Sequence, residues 1–175
     1  MICDTVDLYG YFSLPRGSAE GGDLTRYLHG QIEEAHRQKV RTAMLVIPGG
    51  GYGMVSQRES EPVATAYFAA GYNVFVLRYS VAPAHYPTQL TEAGMAMLYL
   101  RREAAALDID GAHVAAVGFS AGGHLCGCIS LLWDDPALVS AFGAECGKIR
   151  PDASVYALSL IHTPSPRDTE RCRMP

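Results

Sequence analysis

The sequence predicts an α/β fold, a mostly parallel sheet with helices on both faces. Three apolar runs that read as strands alternate along the chain with three segments that repeat apolar residues at helical spacing. Apolar runs bounded by turn residues are typical of strands buried on both faces. Their regular alternation with helices indicates parallel strands joined by right-handed crossovers. No linker or internal repeat divides the 175 residues, so one domain is expected.

The amino-terminal part contains the first predicted strand, a loop and the first buried strand. Thr5–Phe12 alternates in part between apolar and polar residues, which indicates a strand. Leu14–Gln38 is polar and rich in glycine, and we expect a loop-rich segment there. Arg41–Pro48 is a continuous apolar run closed by proline and three glycines, which predicts a central strand.

Two helices and a strand are predicted in the middle of the chain. Residues 60–71 begin with a capping serine and a proline, repeat apolar residues at helical spacing and end at a glycine. Residues 72–79 are rich in β-branched and aromatic residues and predict a strand. Residues 87–107 predict a long helix, whose charged residues, Glu92 among them, are expected to lie largely away from its apolar side.

The last predicted elements surround the strongest motif of the chain. His113–Gly118 reads as a third buried strand, and Ala121–Trp133 reads as a third helix. Pro151–Ala157 resembles the opening of a fourth strand of the same series.

Composition excludes several classes of protein. The chain is 49% hydrophobic and 18% charged with a net charge of −4, which does not fit a disordered protein. With only two lysines it has no basic stripe for nucleic acid or anionic lipid. Five scattered cysteines favour structural thiols over a disulfide framework or a metal site. No membrane helix or signal peptide is recognised, so we expect a cytoplasmic protein with no metal and no cofactor.

The strongest motif is the pattern G-x-S-x-G, formed by Gly118, Ser120 and Gly122 between a predicted strand and a predicted helix. The chain must turn sharply there and lift the serine hydroxyl above the edge of the sheet, and a side chain on either flank would collide with the turn. This context predicts that Ser120 is a nucleophile. The alternative is a turn of small residues that packs the helix closely on the sheet.

A second motif, PGGGY, follows the first buried strand. Backbone N–H groups approach a developing oxyanion only where no side chain intervenes. Gly50 and Gly51 are therefore the candidate oxyanion donors, together with the amide of Ala121 at the start of the helix after Ser120. A triple glycine also suits a flexible turn or a phosphate-binding loop, but the following GGGYGMVS lacks the lysine or the glycine spacing of a phosphate loop.

The segments PGGGY, YSVAPAHYPTQL and GFSAGGHL, in this order, resemble the α/β-hydrolase superfamily. More narrowly they resemble its esterase and lipase branch with an HGGG-type loop, which includes acetylxylan-esterase-like enzymes. The resemblance covers residues 7–157. It implies the α/β-hydrolase fold, with Ser120 as nucleophile and Gly50, Gly51 and Ala121 as oxyanion donors. Pro48 stands where many relatives carry histidine, a difference that leaves the glycine amides unaffected.

A complete catalytic triad cannot be assembled from this sequence. A serine nucleophile needs a general base and an acid that orients the base, and in this superfamily the acid and then the histidine follow the serine. His162 is the one histidine after Ser120 outside the first turns of its helix, whereas His124 is expected to pack behind the turn. The nearest acids follow the serine too closely: Asp134, Asp135 and Asp152.

The last residues, Leu158–Pro175, differ from the rest of the chain. They hold three of the ten prolines and show no strand or helix period after Ile161. Their segments LSLIH, PSPRD and RMP resemble the translation of a transposon-end adapter of tagmentation sequencing. We therefore expect residues 1–157 to be a partial α/β-hydrolase domain, incomplete at its carboxyl terminus, and residues 158–175 to be a non-native tail. His162 would then not be a triad base, and the 175-residue chain would be nearly inactive.

The expected function is hydrolysis of a small-molecule carboxylic ester, of the acetyl type and including esters on sugars, through an acyl-enzyme on Ser120. The motifs equally suit a peptidase or a formamidase on the same fold. A hydrolase-like binding protein without catalysis is a further alternative. A cofactor-binding doubly wound domain would require a glycine-rich turn after the first strand, and TVDLYGYF is followed by none. The sequence does not indicate an oligomeric state.

Overall fold

The structure is a computed structural model that describes residues 1–31, 34 and 40–157. The predictions for residues 158–175, including the one for His162, lie outside the described residues. The strands are β1 Ile2–Asp7, β2 Asp23–Leu28, β3 Arg41–Ile47, β4 Asn73–Arg78, β5 Ile109–Phe119 and β6 Ala153–Ala157. The α-helices are α1 Leu8–Phe12, α2 Glu61–Ala69, α3 Thr88–Arg102, α4 Ala121–Leu131 and α5 Pro136–Phe142. Two 3₁₀ helices lie at Gln57–Glu59 and Gly143–Lys148.

The strands form one sheet in the order β1-β2-β4-β3-β5-β6. Strands β4, β3, β5 and β6 run parallel to one another, while β2 runs antiparallel to both β1 and β4. In register, Val46 of β3 lies between Val76 of β4 and Val117 of β5. The mostly parallel sheet predicted from the strand and helix alternation is confirmed.

Helices cover both faces of the sheet, as predicted. Successive side chains of a strand point to opposite faces, and in β3 both sets are buried. Leu45 belongs to a core cluster with residues of α3 and α4, whereas Val46 belongs to a second cluster with Ala64 of α2. This burial on both faces explains why β3 reads as an unbroken apolar run.

The predicted strand over Thr5–Phe12 is wrong in its second half, because β1 ends at Asp7 and α1 begins at Leu8. Leu8 and Tyr9 are consecutive and both buried, which a strand with one buried face cannot achieve. Ser13 ends the helix in the left-handed region with φ 53°.

The expectation of a loop over Leu14–Gln38 misses strand β2. Its polar residues are paired rather than solvated: Thr25 Oγ1 lies 3.2 Å from Thr5 Oγ1, and Arg26 Nε donates to Asp4 Oδ1 at 2.6 Å. Because these partners belong to the neighbouring strand β1, the polar pattern of β2 alone does not show that it is a strand.

Glu92 of α3 was expected away from the core, and this is wrong. Its side chain has no exposed surface and its carboxylate accepts hydrogen bonds from Tyr9 Oη, Ser80 N and Ser80 Oγ. Burial raises the pKa of Glu92, outweighing the hydrogen bonds that favour the charged form. Three donors converging on one carboxylate make this buried acid a link between α1, α3 and the loop after β4.

Within the part of the chain that the structure describes, no single helix is long and apolar enough to cross a membrane. The segments Ala121–Leu131 and Pro136–Lys148 meet the length and composition test only when they are taken together, and the chain bends by 71° between them.

Candidate active site

Ser120 occupies the sharp turn between the end of β5 and the start of α4. Its backbone has φ 49° and ψ −117°, a region that side-chain-bearing residues rarely adopt. Holding such a conformation costs about 1–3 kcal/mol, so it persists only where the surrounding structure imposes it. The Ser120 residue is exposed at the carboxyl edge of the parallel strands, where ligands of α/β sheets bind.

The flanking glycines let the turn pack against its neighbours. A Cβ atom on Gly122 would lie 2.1 Å from the carbonyl oxygen of Ile47 and 2.3 Å from that of Pro48. A Cβ on Gly118 would lie 2.3 Å from the carbonyl oxygen of Gly122. No side chain fits at either position, and this explains why the motif has glycine at both.

The glycine loop after β3 passes directly against the turn at Ser120. A Cβ atom on Gly49 would lie 2.6 Å from the carbonyl oxygen of Phe119 and 3.0 Å from Ser120 Cβ. Gly50 and Gly51 then adopt φ values of 128° and 62°, and the carbonyl of Gly50 accepts hydrogen bonds from the two amides that close this turn. The fold therefore brings the two predicted motifs together.

Hydrogen bonds to other parts of the fold help to hold this loop in place. Glu59 Oε2 accepts from the amide of Gly49 at 2.7 Å, and Tyr79 Oη donates to the carbonyl of Pro48 at 2.9 Å. The amide of Ala82 donates to the carbonyl of Tyr52 at 2.7 Å. The sequence reasoning missed Glu59 and Tyr79, since neither belongs to a motif and each reaches the loop only through the fold.

Ala121, the third candidate donor, is the first residue of α4 and is almost fully buried. The first amides of a helix have no partner within the helix, and the helix dipole favours negative charge beside them. The amide of His124, one turn later, donates to the carbonyl of Ser120 at 3.0 Å. The amide of Ala121 thus belongs to the helical turn that begins at the serine.

A cavity of about 300 Å³ adjoins the glycine loop and the first turns of α4. Among the described residues, no aspartate, glutamate, lysine or arginine lines it. Its lining residues are Tyr52, Ala84, His85, Tyr86, Gln89, Leu90, His124, Leu125, Cys128 and Leu132. Tyr52 directly follows Gly51, and His124 lies one helical turn after Ser120, so this cavity borders both motifs.

His124 does not pack behind the turn as expected. It is exposed, and its Nδ1 lies 2.8 Å from Tyr52 Oη. Its ring also lies edge-on to the Tyr52 ring, with 6.0 Å between the centroids.

Among the residues that the structure describes, no histidine or carboxylate forms a hydrogen bond with Ser120 Oγ. Asp135 accepts from the amide of Ala137 and from Tyr86 Oη, while Asp152 accepts from the amide of Val114 in the middle of β5.

A larger cavity of about 700 Å³ lies at the amino ends of β5 and β6, away from Ser120. Two of its basic side chains have partners: Arg101 donates to the carbonyls of Lys148, Gly111 and Arg150, and Arg102 pairs with Glu145. The described residues also contain no cluster of three His, Cys, Asp or Glu that would hold a metal ion.

Comparison with known proteins places these features among hydrolases. The family model described as BD-FAE matches residues 31–159. The chain is 36% identical over 148 residues to endo-1,4-beta-xylanase B of Butyrivibrio fibrisolvens, an alignment that covers 81% of this chain and 22% of that protein.

Solved structures of hydrolases share the fold. An α/β hydrolase from a Medee basin deep-sea metagenome library is 36% identical with a TM-score of 0.71, covering 90% of this chain and 56% of that one. An acetyl ester-xyloside bifunctional hydrolase from Caldicellulosiruptor lactoaceticus is 28% identical with a TM-score of 0.69, covering 89% and 56%. A carboxylesterase from Lactobacillus plantarum is 28% identical with a TM-score of 0.66, covering 80% and 50%. The chain thus spans about half the length of these solved structures.

Proposed function

The chain belongs to the BD-FAE family and has the α/β-hydrolase fold, and from this premise we propose that the protein is a serine hydrolase of small carboxylic esters. Ser120 is the proposed nucleophile, and the amides of Gly50, Gly51 and Ala121 are the proposed oxyanion donors. The observation that carries this proposal is the contact between the two motifs, with Gly49 packed directly against the strained, exposed Ser120.

The reaction follows from this arrangement. Ser120 Oγ attacks the acyl carbon of the ester while a general base takes the hydroxyl proton, and the carbonyl oxygen becomes an oxyanion facing the amides. Collapse of this intermediate breaks the bond to the alcohol, which leaves with the proton. Water then attacks the acyl-enzyme by the same route and restores the free serine.

The general base and its acid are proposed to come from chain beyond residue 157. No histidine or carboxylate of the described part forms a hydrogen bond with Ser120 Oγ, and this chain covers only 56% of two solved relatives. We accordingly propose that the 175-residue chain alone is nearly inactive. Strong, saturable ester hydrolysis by this chain alone would contradict that proposal.

The proposed substrates are uncharged esters with a small acyl group, including acetyl groups on sugars. In the described part of the chain, no aspartate, glutamate, lysine or arginine lines the cavity of about 300 Å³ beside Tyr52 and His124, so burial of an ionised substrate group there would be unfavourable. The related protein from Caldicellulosiruptor lactoaceticus is an acetyl ester-xyloside bifunctional hydrolase.

The test compares ester with amide hydrolysis by the complete gene product. Hydrolysis of aryl acetates and of the corresponding acetanilides is measured with the wild-type protein and with Ser120→Ala. We expect hydrolysis of the esters, little of the anilides, and loss of activity in Ser120→Ala. Ester hydrolysis that survives in Ser120→Ala would remove the assignment of the nucleophile, and preference for anilides or formanilides would favour a peptidase or a formamidase.

A further inference from the structure

We propose that the hydrogen bond between Tyr52 and His124 is a positioning contact that ties the oxyanion donors to the helix carrying the nucleophile. The proposal rests on the function proposed above and assigns roles to two residues that were not predicted as site residues, Tyr52 at the end of PGGGY and His124 in α4. Neither residue is taken to react with substrate; both act through the placement of backbone amides.

The contact closes a ring of atoms around the site. From Ser120 the chain continues into α4, whose first turn includes the hydrogen bond from the amide of His124 to the carbonyl of Ser120. His124 Nδ1 lies 2.8 Å from Tyr52 Oη, and Tyr52 directly follows Gly51. Gly49, at the other end of the same loop, packs against Ser120 Cβ. Movement of Gly50 and Gly51 relative to Ser120 would therefore disturb either the packing of Gly49 against Ser120 or the hydrogen bond between Tyr52 and His124.

The backbone of Tyr52 has an unfavourable conformation that its contacts must impose. Its φ is 58°, in the left-handed region that residues with side chains seldom adopt. Its carbonyl accepts from the amide of Ala82, and its ring lies edge-on to the Tyr79 ring with 5.8 Å between the centroids. Such a conformation persists where several contacts impose it, and the hydrogen bond to His124 connects Tyr52 to the nucleophile helix.

The chemistry of the pair decides which replacements can keep the hydrogen bond. Burial raises the pKa of Tyr52 well above its ordinary value, with Cys128 and Tyr79 adding to the shift, so the hydroxyl keeps its proton. Tyr52 Oη can therefore donate to His124 Nδ1 or accept a hydrogen bond from it. An asparagine at position 124 carries its amide oxygen and nitrogen the same number of bonds from Cα as Nδ1, so it can accept from the Tyr52 hydroxyl or donate to it.

The experiment measures kcat and KM for an aryl acetate in the complete gene product. The variants are Tyr52→Phe, His124→Leu, His124→Asn and the double variant Tyr52→Phe/His124→Leu. Tyr67→Phe is the matched control, because Tyr67 lies on α2 and contacts Tyr72 on the other face of the sheet. The rate of Ser120 labelling by a fluorophosphonate, and circular dichroism of each variant, are recorded in parallel.

We expect Tyr52→Phe and His124→Leu each to lower kcat about 10-fold with KM within about 2-fold, since a small displacement of oxyanion donors weakens transition-state binding alone. His124→Asn should recover most of the loss, and the double variant should be no slower than either single one. Labelling rates should follow kcat, and Tyr67→Phe should match the wild type.

Three results would overturn the proposal: unchanged kcat in folded Tyr52→Phe, a change confined to KM, or losses that multiply in the double variant. A change confined to KM would instead make Tyr52 a cavity wall that touches substrate. These results are separate from failure of the proposed function, because wild-type hydrolysis and Ser120 labelling, lost in Ser120→Ala, are established first. A protein that hydrolyses no ester and is not labelled at Ser120 would remove both proposals together.

Discussion

Replacement of Gly49 by alanine tests the contact between the glycine loop and the nucleophile. The added methyl group would lie 2.6 Å from the carbonyl oxygen of Phe119 and 3.0 Å from Ser120 Cβ. Phe119 is the last residue of β5, whose backbone is paired on both sides by β3 and β6. Because β5 is paired on both edges, we expect the added methyl group to push the glycine loop away from Ser120, while β5 and Ser120 stay in place.

The size of the movement follows from ordinary contact distances. Carbon and oxygen atoms that are not bonded rarely approach within 3.4 Å, so the loop must withdraw by about 0.8 Å. A misplacement of about 1 Å at a catalytic site can cost about 100-fold in rate, equivalent to about 2.7 kcal/mol of barrier. Overpacking also costs about 1–3 kcal/mol of stability.

The assay is steady-state hydrolysis of an aryl acetate by the complete gene product, with urea unfolding of the same samples. Gly49→Ala should lower kcat about 100-fold at temperatures where the variant is folded, with a smaller change in KM. Gly147→Ala is the control, since a methyl group there meets no atom within 4 Å. A folded Gly49→Ala variant with wild-type kcat would refute the proposed proximity of loop and serine.

Two further predictions concern stability and are read from urea unfolding. Burial raises the pKa of Glu92 in the folded state, so the folded protein binds its proton more tightly than the unfolded chain does. The free energy of unfolding of the wild type should then fall relative to Glu92→Gln as the pH rises above about 4.5, at up to about 1.4 kcal/mol per pH unit; parallel profiles would contradict this. Arg101 donates to three carbonyl groups and to Asp152, which directly precedes β6. Arg101→Lys should lower the free energy of unfolding by about 2 kcal/mol, because an ammonium group cannot reach all four acceptors. A loss below about 0.5 kcal/mol would show that these bonds are exchanged for water without cost.

The parts of the fold that the sequence predicts are those whose cause is local. Strand β3 is buried on both faces, so every residue from Ala43 to Ile47 is apolar and the run is visible in the sequence. Strand β2 has the opposite character, since Thr25 and Arg26 are satisfied by Thr5 and Asp4 of another strand. Its identity depends on a partner distant in sequence, and no local pattern contains that information.

The candidate site divides in the same way. Gly118, Ser120 and Gly122 are recognisable because a sharp turn between strand and helix requires those residue types in that order. Glu59, which binds the amide of Gly49, is an ordinary surface-type residue until the fold brings it to the loop. His124 was misplaced because helical spacing gives its distance from Ser120 but not the presence of Tyr52 beside it.

The most direct test of the central claim is to locate the residue that reacts with a fluorophosphonate. The complete gene product is incubated with the reagent, digested and analysed by mass spectrometry, with Ser120→Ala and the 175-residue chain treated identically. We predict one adduct on the peptide that contains Ser120, none in Ser120→Ala, and little in the 175-residue chain. A protein that hydrolyses esters but carries its adduct on another residue, or carries none, would contradict the assignment of Ser120 as the nucleophile.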